Sequence, residues 1–93
     1  MQPQLRVAVH DLPDADGALR RLRQEAQQLA SRYPALTGGR LDVCKDPASG
    51  YEAHIELLFP QRQLIVNAAA PAPEAALKEA LAKASRACAT FAK

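Results

Sequence analysis

The 93-residue sequence predicts an α+β domain in which two helices pack on one face of a four-stranded mixed sheet. The first observation is the order of hydrophobic patterns, which switch between periods of about two and 3.6 residues and predict β-α-β-β-β-α. The second is that three strands follow one another through short turns, as in an antiparallel meander. The third is that each helix has a single apolar face, so both should cover the same side of the sheet. The length allows one domain, residues 1–93.

The first strand and the first helix are predicted at residues 4–10 and 16–33. Asp14 or Asp16 can cap the helix by accepting a free backbone N–H, and Pro34 ends it. Because the first strand returns through a helix, we expect it to pair parallel with a neighbouring strand. The apolar residues of this segment, in the strand and then at three- and four-residue steps in the helix, are Leu5, Val7, Val9, Leu19, Leu22, Ala26, Leu29 and Tyr33.

The middle of the chain predicts three strands. Thr37-Gly38-Gly39 indicates a flexible connection before a strand at 40–45, and residues 46–50 indicate a turn. Residues 50–70 alternate in hydrophobicity and predict a hairpin, whose turn at 60–63 contains a proline that cannot donate to a strand ladder. The sheet face opposite the helices should then be polar, with Arg6, His10, Asp42, Cys44, Glu52, His54, Glu56 and Asn67.

The last helix is predicted to open at Pro73 or Glu74. Proline at the first helical position loses no hydrogen bond, and a carboxylate there complements the helix dipole. The apolar face predicted for this helix consists of Leu77, Leu81, Ala84, Cys88 and Phe91.

Composition narrows the classes of function. The formal net charge is +2, so binding of a polyanion would require local clustering of basic residues. No apolar run approaches the ~20 residues of a membrane span, and the N-terminus does not resemble a signal peptide. Cys44 and Cys88 lie far apart in sequence. We therefore expect a cytoplasmic protein with both thiols reduced.

No motif in the sequence predicts catalysis. His10, Asp11, Glu52, His54 and Glu56 could be imagined as an acid–base or metal cluster on the open sheet face. Their spacing matches no ligand motif, and an exposed flat sheet excludes no water. The two cysteines form no C-x-x-C pair, and the paired glycines lack the Lys-Ser/Thr of a phosphate-binding loop. We expect no enzyme, no catalytic residue, no metal and no cofactor.

Basic residues are concentrated on the helices, which hold eight of the twelve in the chain. Helices lying side by side would form a positive ridge suited to phosphate contacts, although charge alone also fits a merely solvated surface. No aromatic residue is predicted on this ridge, so shape-based contact with structured RNA is favoured over base stacking. The candidate RNA-binding residues are Arg20, Arg21, Arg23, Arg32, Lys78, Lys83, Arg86 and Lys93.

Several short segments together resemble the ribosome hibernation-promoting factor family, which includes the ribosome-associated inhibitor often described as a sigma-54 modulation protein. The matching segments, in order, are Ala18-Leu19-Arg20, Arg32-Tyr33, residues 53–60, residues 64–68, Ala75-Ala76-Leu77, Lys83 and Arg86. The resemblance covers nearly the whole chain and implies a double-stranded-RNA-binding-like arrangement with an extra first strand.

The resemblance also implies a function. A short-form hibernation factor occupies the decoding channel of the small ribosomal subunit, contacts ribosomal RNA through its helices and inhibits translation under stress. Arg20, Arg32, Lys83 and Arg86 match the family by position, whereas the other four candidates are supported by charge alone. The implied partners are the small subunit and its RNA, with no DNA and no membrane.

The end of the chain departs from this family. Family members end their last helix in a dense Lys/Arg run, whereas here residues 87–92 are uncharged and only Lys93 follows. Fewer phosphate contacts predict weaker binding. The alternative function is a protein-interaction domain that forms a weak homodimer through its open sheet face or an edge strand, where Leu58 and Ile65 could seed an apolar patch.

Overall fold

The computed structural model describes residues 4–48 and 50–91, except for the side chain of Phe91. The candidate residue Lys93 therefore lies outside the described residues. Six elements follow one another in the predicted order, namely β1 (Gln4–His10), α1 (Ala15–Arg32), β2 (Gly38–Asp46), β3 (Gly50–Phe59), β4 (Arg62–Ala70) and α2 (Pro73–Phe91).

The four strands form one sheet with the spatial order β1-β2-β3-β4. β1 pairs parallel with β2, so that Val7 lies beside Leu41. β2, β3 and β4 pair antiparallel, with Leu41 opposite Ile55 and Ile55 opposite Val66. The predicted mixed sheet, with its parallel first strand and its antiparallel meander, is confirmed.

Both helices pack on one face of this sheet, as predicted. α1 lies over β1 and β2, and α2 lies over β3 and β4. Because β1, β2 and β4 run in the same direction, the helices that follow β1 and β4 begin at the same end of the sheet and run parallel to each other. Neither helix, over its described residues, has the length and apolar character needed to cross a membrane.

α1 has a defined cap at each end. The Asp14 carboxylate accepts a hydrogen bond from the Gly17 N–H at 3.2 Å, which makes Asp14 rather than Asp16 the N-cap. At the other end the Tyr33 N–H donates to the Leu29 carbonyl at 2.9 Å, just before Pro34. The helix therefore lies within one residue of its predicted bounds.

α2 packs through small residues more than the sequence analysis predicted. Leu77, Ala84 and Cys88 are buried as expected, but the fully buried Ala76 and Ala80 were not among the predicted residues. Small side chains on a helix allow its backbone to approach the sheet closely. The strands beneath α2 also carry buried alanines, and dispersion contacts across this close approach replace the volume of larger side chains.

Gly38 and Gly39 belong to β2, so the expectation of a flexible connection at these two residues is wrong. Gly38 pairs with Leu58 and Gly39 pairs with Leu57, which extends the strand two residues beyond the predicted start. A β-carbon on Gly39 would overlap the carbonyl oxygen of Glu56 and lie 3.0 Å from Leu5. Glycine is present here because β2 meets its neighbours too closely for a side chain.

Candidate nucleic-acid interface

The arginines of α1 point in three directions. Arg21 and Arg32 lie on the side that faces α2, since each lines a cleft shared with a residue of that helix. Because successive helical residues are rotated by about 100°, Arg23 lies roughly 200° from Arg21, on the side away from α2. Arg20 lies on the outer surface, opposite the buried residues of the helix. All four side chains are exposed, but they do not form one cluster.

The basic residues of α2 differ in their surroundings. The half-buried Lys83 donates a hydrogen bond from Nζ to the backbone carbonyl of Asn67 at 2.9 Å. Its ammonium group is therefore bound to the edge strand β4. Arg86, three residues further on, lies on the same side of the helix. Lys78 is exposed on the outer surface. The structure therefore gives Lys83, one of the candidates matched by position, a structural partner within the protein.

Within the part of the chain that the structure describes, most of the candidate basic side chains have no internal partner. Arg21 is the exception among the arginines, because its Nε lies 3.1 Å from Oε1 of Glu25. Within the described residues, no ion pair or hydrogen bond engages the exposed side chains of Arg20, Arg23, Arg32, Lys78 and Arg86. These five charges are therefore available to an external anion.

Several polar side chains on the open face of the sheet pair with one another. Nε of Arg40 lies 2.8 Å from Oδ2 of Asp42, and Nε2 of His54 lies 2.7 Å from Oε1 of Glu52. Gln63 donates to the carboxylate of Glu56 at 2.7 Å. The polar character predicted for this face is confirmed. Its pairing leaves little electrostatic attraction for a polyanion.

The two cysteines are both free, and their surroundings do not activate them. Burial raises the pKa of the Cys44 thiol, and the negative charges of Glu52, Asp46, Asp42 and Asp11 raise it further. Burial also raises the pKa of Cys88, which a hydrogen bond with the Tyr33 side chain opposes only in part. Because the thiolate is the nucleophile, both thiols are poor nucleophiles at neutral pH. Among the described residues, no group of His, Cys, Asp and Glu could hold a metal ion.

A cleft of about 450 Å³ lies where α1 and α2 end, beside the turn between β3 and β4. We call it the aromatic cleft, because Tyr33 and Phe59 contribute to its walls and Arg32 and Arg62 to its lining. Pro34, Pro60 and the buried Cys88 complete most of its apolar surface. Of the residues that line this cleft, only Arg32 is among the RNA-binding residues predicted from the sequence.

The other components of the aromatic cleft carried a weak signal in the sequence. Tyr33 directly follows the last residue of α1, Phe59 ends β3, and each precedes a proline, so in the sequence each has the position of a last apolar residue before a break. Arg62 lies in the segment predicted as a turn, where a charge is unremarkable. The packing of α1 over β1 and β2, and of α2 over β3 and β4, places the end of α1 beside the β3–β4 turn and brings these residues together.

A second cleft, of about 340 Å³, lies at the opposite end, where both helices begin. Its lining includes the carboxylates of Asp14 and Glu74 and one arginine, Arg21. Acidic residues at helix N-termini complement the helix dipoles, so their presence there is explained by helix stability. Two carboxylates would repel a phosphate, so the two ends of the helix pair differ in the ligands they can accept.

Comparison with models of protein families finds no match to this chain, and comparison with curated proteins finds no similar sequence. Neither comparison supplies a family, so function has to be inferred from the residues and their arrangement.

Proposed function

We propose that this protein binds structured RNA through the exposed surface of its two helices and acts as a cytoplasmic, non-enzymatic translation inhibitor on the small ribosomal subunit. The RNA contacts are assigned to Arg20, Arg23, Arg32, Lys78 and Arg86, with Arg21 and Lys83 at the margin of this surface. Inhibition results from occupying the decoding channel and requires no chemical step.

The observation that carries the proposal is the unequal pairing of charges on the two sides of the molecule. Five basic side chains on the helices are exposed and have no partner among the described residues, whereas Arg40 on the open sheet face is bound by Asp42. Unpaired arginines and lysines bind phosphate without first losing an internal ion pair. The helix surface therefore supports binding to a polyanion better than the sheet surface does.

The ribosome enters the proposal through the resemblance of the sequence to the hibernation-promoting factors. The order β-α-β-β-β-α agrees with the arrangement which that resemblance implies. Dispersed arginines on a rigid helix pair fit the broad phosphate surface of folded RNA better than a single anion, because they cannot converge on one group.

The test is co-sedimentation of the purified protein with small ribosomal subunits at about 50 and 200 mM salt. If five phosphates are contacted, affinity should fall roughly 10²- to 10³-fold between these concentrations, because counterions released on binding must be recaptured. The double variant Arg20→Glu/Arg86→Glu should abolish co-sedimentation at the lower salt, since it replaces two attractions with two repulsions.

The matched control is Arg6→Glu/Lys45→Glu, which makes the same change in net charge at two exposed positions on strands. It should bind almost as well as the unaltered protein. Equal loss in both variants would mean that net charge alone governs binding. Undiminished binding of the helix variant would refute the proposed surface.

A second candidate function is homodimerisation through the open sheet face. Leu58 and Ile65 are its exposed large hydrophobic residues, with 37% and 58% of their surfaces accessible, and they lie diagonally across β3 and β4. Association through an apolar patch survives high salt, unlike phosphate binding. A salt-independent dimer in sedimentation equilibrium that Ile65→Lys dissociates would support this candidate.

A further inference from the structure

We propose that the aromatic cleft binds one nucleotide unit, with the planar base between the walls and the phosphate at Arg32 and Arg62. The unit is either a free nucleotide or an unpaired nucleotide of a bound RNA strand, because both present the same chemistry. The RNA source rests on the proposed function, whereas binding of a free nucleotide does not depend on it.

The shape and the lining of the cleft indicate a ligand with an apolar, flat part. Its volume of about 450 Å³ falls within the range of ~300–1,000 Å³ that is usual for small-molecule sites. Tyr33 and Phe59 are both half-buried, so packing holds their rings while part of each remains accessible. Aromatic side chains bind the face or edge of another ring, and stacking of bases on them tolerates any base.

The charges indicate an anionic part on the same ligand. Arg32 is supplied by α1 and Arg62 by β4, so two separate elements direct guanidinium groups to one cleft. Guanidinium groups bind phosphate with two parallel hydrogen bonds and also stack on planar rings. The lining residues include no carboxylate, unlike those of the cleft at the other end of the helices. An anion is therefore accepted at one end and repelled at the other.

The turn between β3 and β4 shapes the site. Phe59 pairs with Arg62 across the two-residue turn at 60–61, so one hairpin brings both residues to the lining of the cleft. On the other side Arg32 and Tyr33 follow one another at the end of α1. The end of α1 and the β3–β4 turn thus each contribute one aromatic residue and one arginine to the lining, which is the pairing of groups that a base with its phosphate requires.

The test is a titration of the ¹⁵N-labelled protein by NMR with adenosine 5′-monophosphate. The expected result is that amide shifts concentrate at residues 32–35 and 59–62. Ribose 5-phosphate, which has no base, and adenosine, which has no phosphate, should each bind about tenfold or more weakly. Equal binding of ribose 5-phosphate would overturn the proposal, because it would show that the walls do not read the base.

Two variants test the contributions of the arginines and of the Phe59 ring to nucleotide binding separately. Arg32→Gln/Arg62→Gln should weaken binding of adenosine 5′-monophosphate about tenfold or more, whereas the control Arg20→Gln/Arg23→Gln, with the same charge change, should not. Phe59→Leu retains an apolar wall without the ring and should weaken binding of the nucleotide but not of ribose 5-phosphate. Circular dichroism establishes that each variant is folded. Equal weakening by the control pair would overturn the assignment.

Titration with a single-stranded RNA of six adenosines distinguishes a free nucleotide from an unpaired nucleotide of an RNA strand as the ligand. If it shifts the same amides and binds more tightly than the mononucleotide, the unit belongs to an RNA strand, and if it binds no better, the ligand is a free nucleotide. Shifts confined to α1 and α2 away from the cleft would overturn the proposal. Small-subunit binding is measured on the same proteins. Arg20→Glu/Arg86→Glu, at positions outside the cleft, should lose small-subunit binding while still binding adenosine 5′-monophosphate, so failure of this inference and failure of the proposed function are separate results.

Discussion

The two faces of the sheet are formed by the same strands but differ in environment, since one is covered by the helices and the other is open to water. On the face covered by the helices, Leu41, Ile55 and Leu57 have no accessible surface, and no polar or charged residue is buried among the described residues. On the open face, polar side chains pair two residues apart on one strand, as in Arg40–Asp42 and Glu52–His54, or across neighbouring strands, as in Gln63–Glu56. The covered face provides stability through burial, whereas the open face provides solubility through paired charges.

The two sides of the molecule also differ in how many charged side chains have an internal partner. Arg40 and His54 on the open face have carboxylate partners within the face, and its carboxylates outnumber its arginines. The helices cover the apolar face and turn their own outer surfaces to solvent, where most basic residues have no partner among those described. The proposed anion-binding surface therefore lies on the helices rather than on the open face of the sheet.

The largest expected effect is on the free energy of unfolding, and it compares a buried isoleucine on the covered face with an exposed isoleucine on the open face. Ile55→Ala, on the covered face, should lower the free energy of unfolding by about 2–5 kcal/mol, because it leaves a cavity where no surface is accessible. Ile65→Ala on the adjacent strand should cost less than about 0.5 kcal/mol, since 58% of the side chain is accessible. Urea unfolding followed by circular dichroism measures both. Similar losses would show that the open face is also packed against a partner.

A smaller effect is expected where β2 meets its neighbours. Gly39→Ala should lower the free energy of unfolding by about 2 kcal/mol, because the added β-carbon overlaps the carbonyl oxygen of Glu56. Gly38→Ala is the control, since its β-carbon would lie 3.2 Å from the carbonyl oxygen of Gln4 and requires only a slight shift. Its expected cost is about 1 kcal/mol or less. Equal costs in thermal unfolding would contradict the close approach at Gly39.

The smallest expected effect concerns Cys44, whose thiol lies among the carboxylates of the open face. Burial and nearby carboxylates raise the pKa of Cys44 above its ordinary value of 9.0, so its thiolate should form only as the pH rises beyond that value. Glu52→Gln removes one of those negative charges, lowers the pKa and should accelerate alkylation of Cys44 by iodoacetamide at pH 8 roughly two- to threefold.

Mass spectrometry of the alkylated peptides distinguishes Cys44 from the buried Cys88. The control Glu56→Gln makes the same change on the same strand, but Glu56 is not among the charges that raise the pKa of Cys44. An unchanged alkylation rate in Glu52→Gln would mean that access, rather than charge, limits the reaction. The raised pKa also implies a small stabilisation that is present below about pH 9 and is lost as the pH rises through the folded pKa.

Much of the fold could be predicted from local patterns in the sequence. The period-two alternation at Leu5, Val7 and Val9 and the polar residues between Asp42 and Asn67 assigned each strand face correctly, because alternation depends only on neighbouring residues. The errors occurred where a residue's role depends on a distant neighbour. Gly38 and Gly39 suggest a loop in isolation, and Ala76 and Ala80 carry too little hydrophobicity to mark a core face.

The candidate site was less predictable than the fold. Charge identified the helix arginines, but it did not indicate that Lys83 bonds to the Asn67 carbonyl or that Arg21 pairs with Glu25. Nor did it indicate that Arg32 and Arg62, thirty residues apart in sequence, line one cleft. The Arg21–Glu25 pair is a local contact four residues apart within α1, whereas the Lys83 hydrogen bond and the cleft depend on how the helices pack against the sheet.

The sequence by itself determined the order of the elements, the inward and outward faces of each strand, and the basic character of the helices. Each of these follows from residues a few positions apart, within the reach of helical and strand periodicity. Tertiary packing was needed to place Lys83 beside the Asn67 carbonyl and to form the aromatic cleft. Those features arise from residues that meet only after the chain has closed long loops, so no local pattern encodes them.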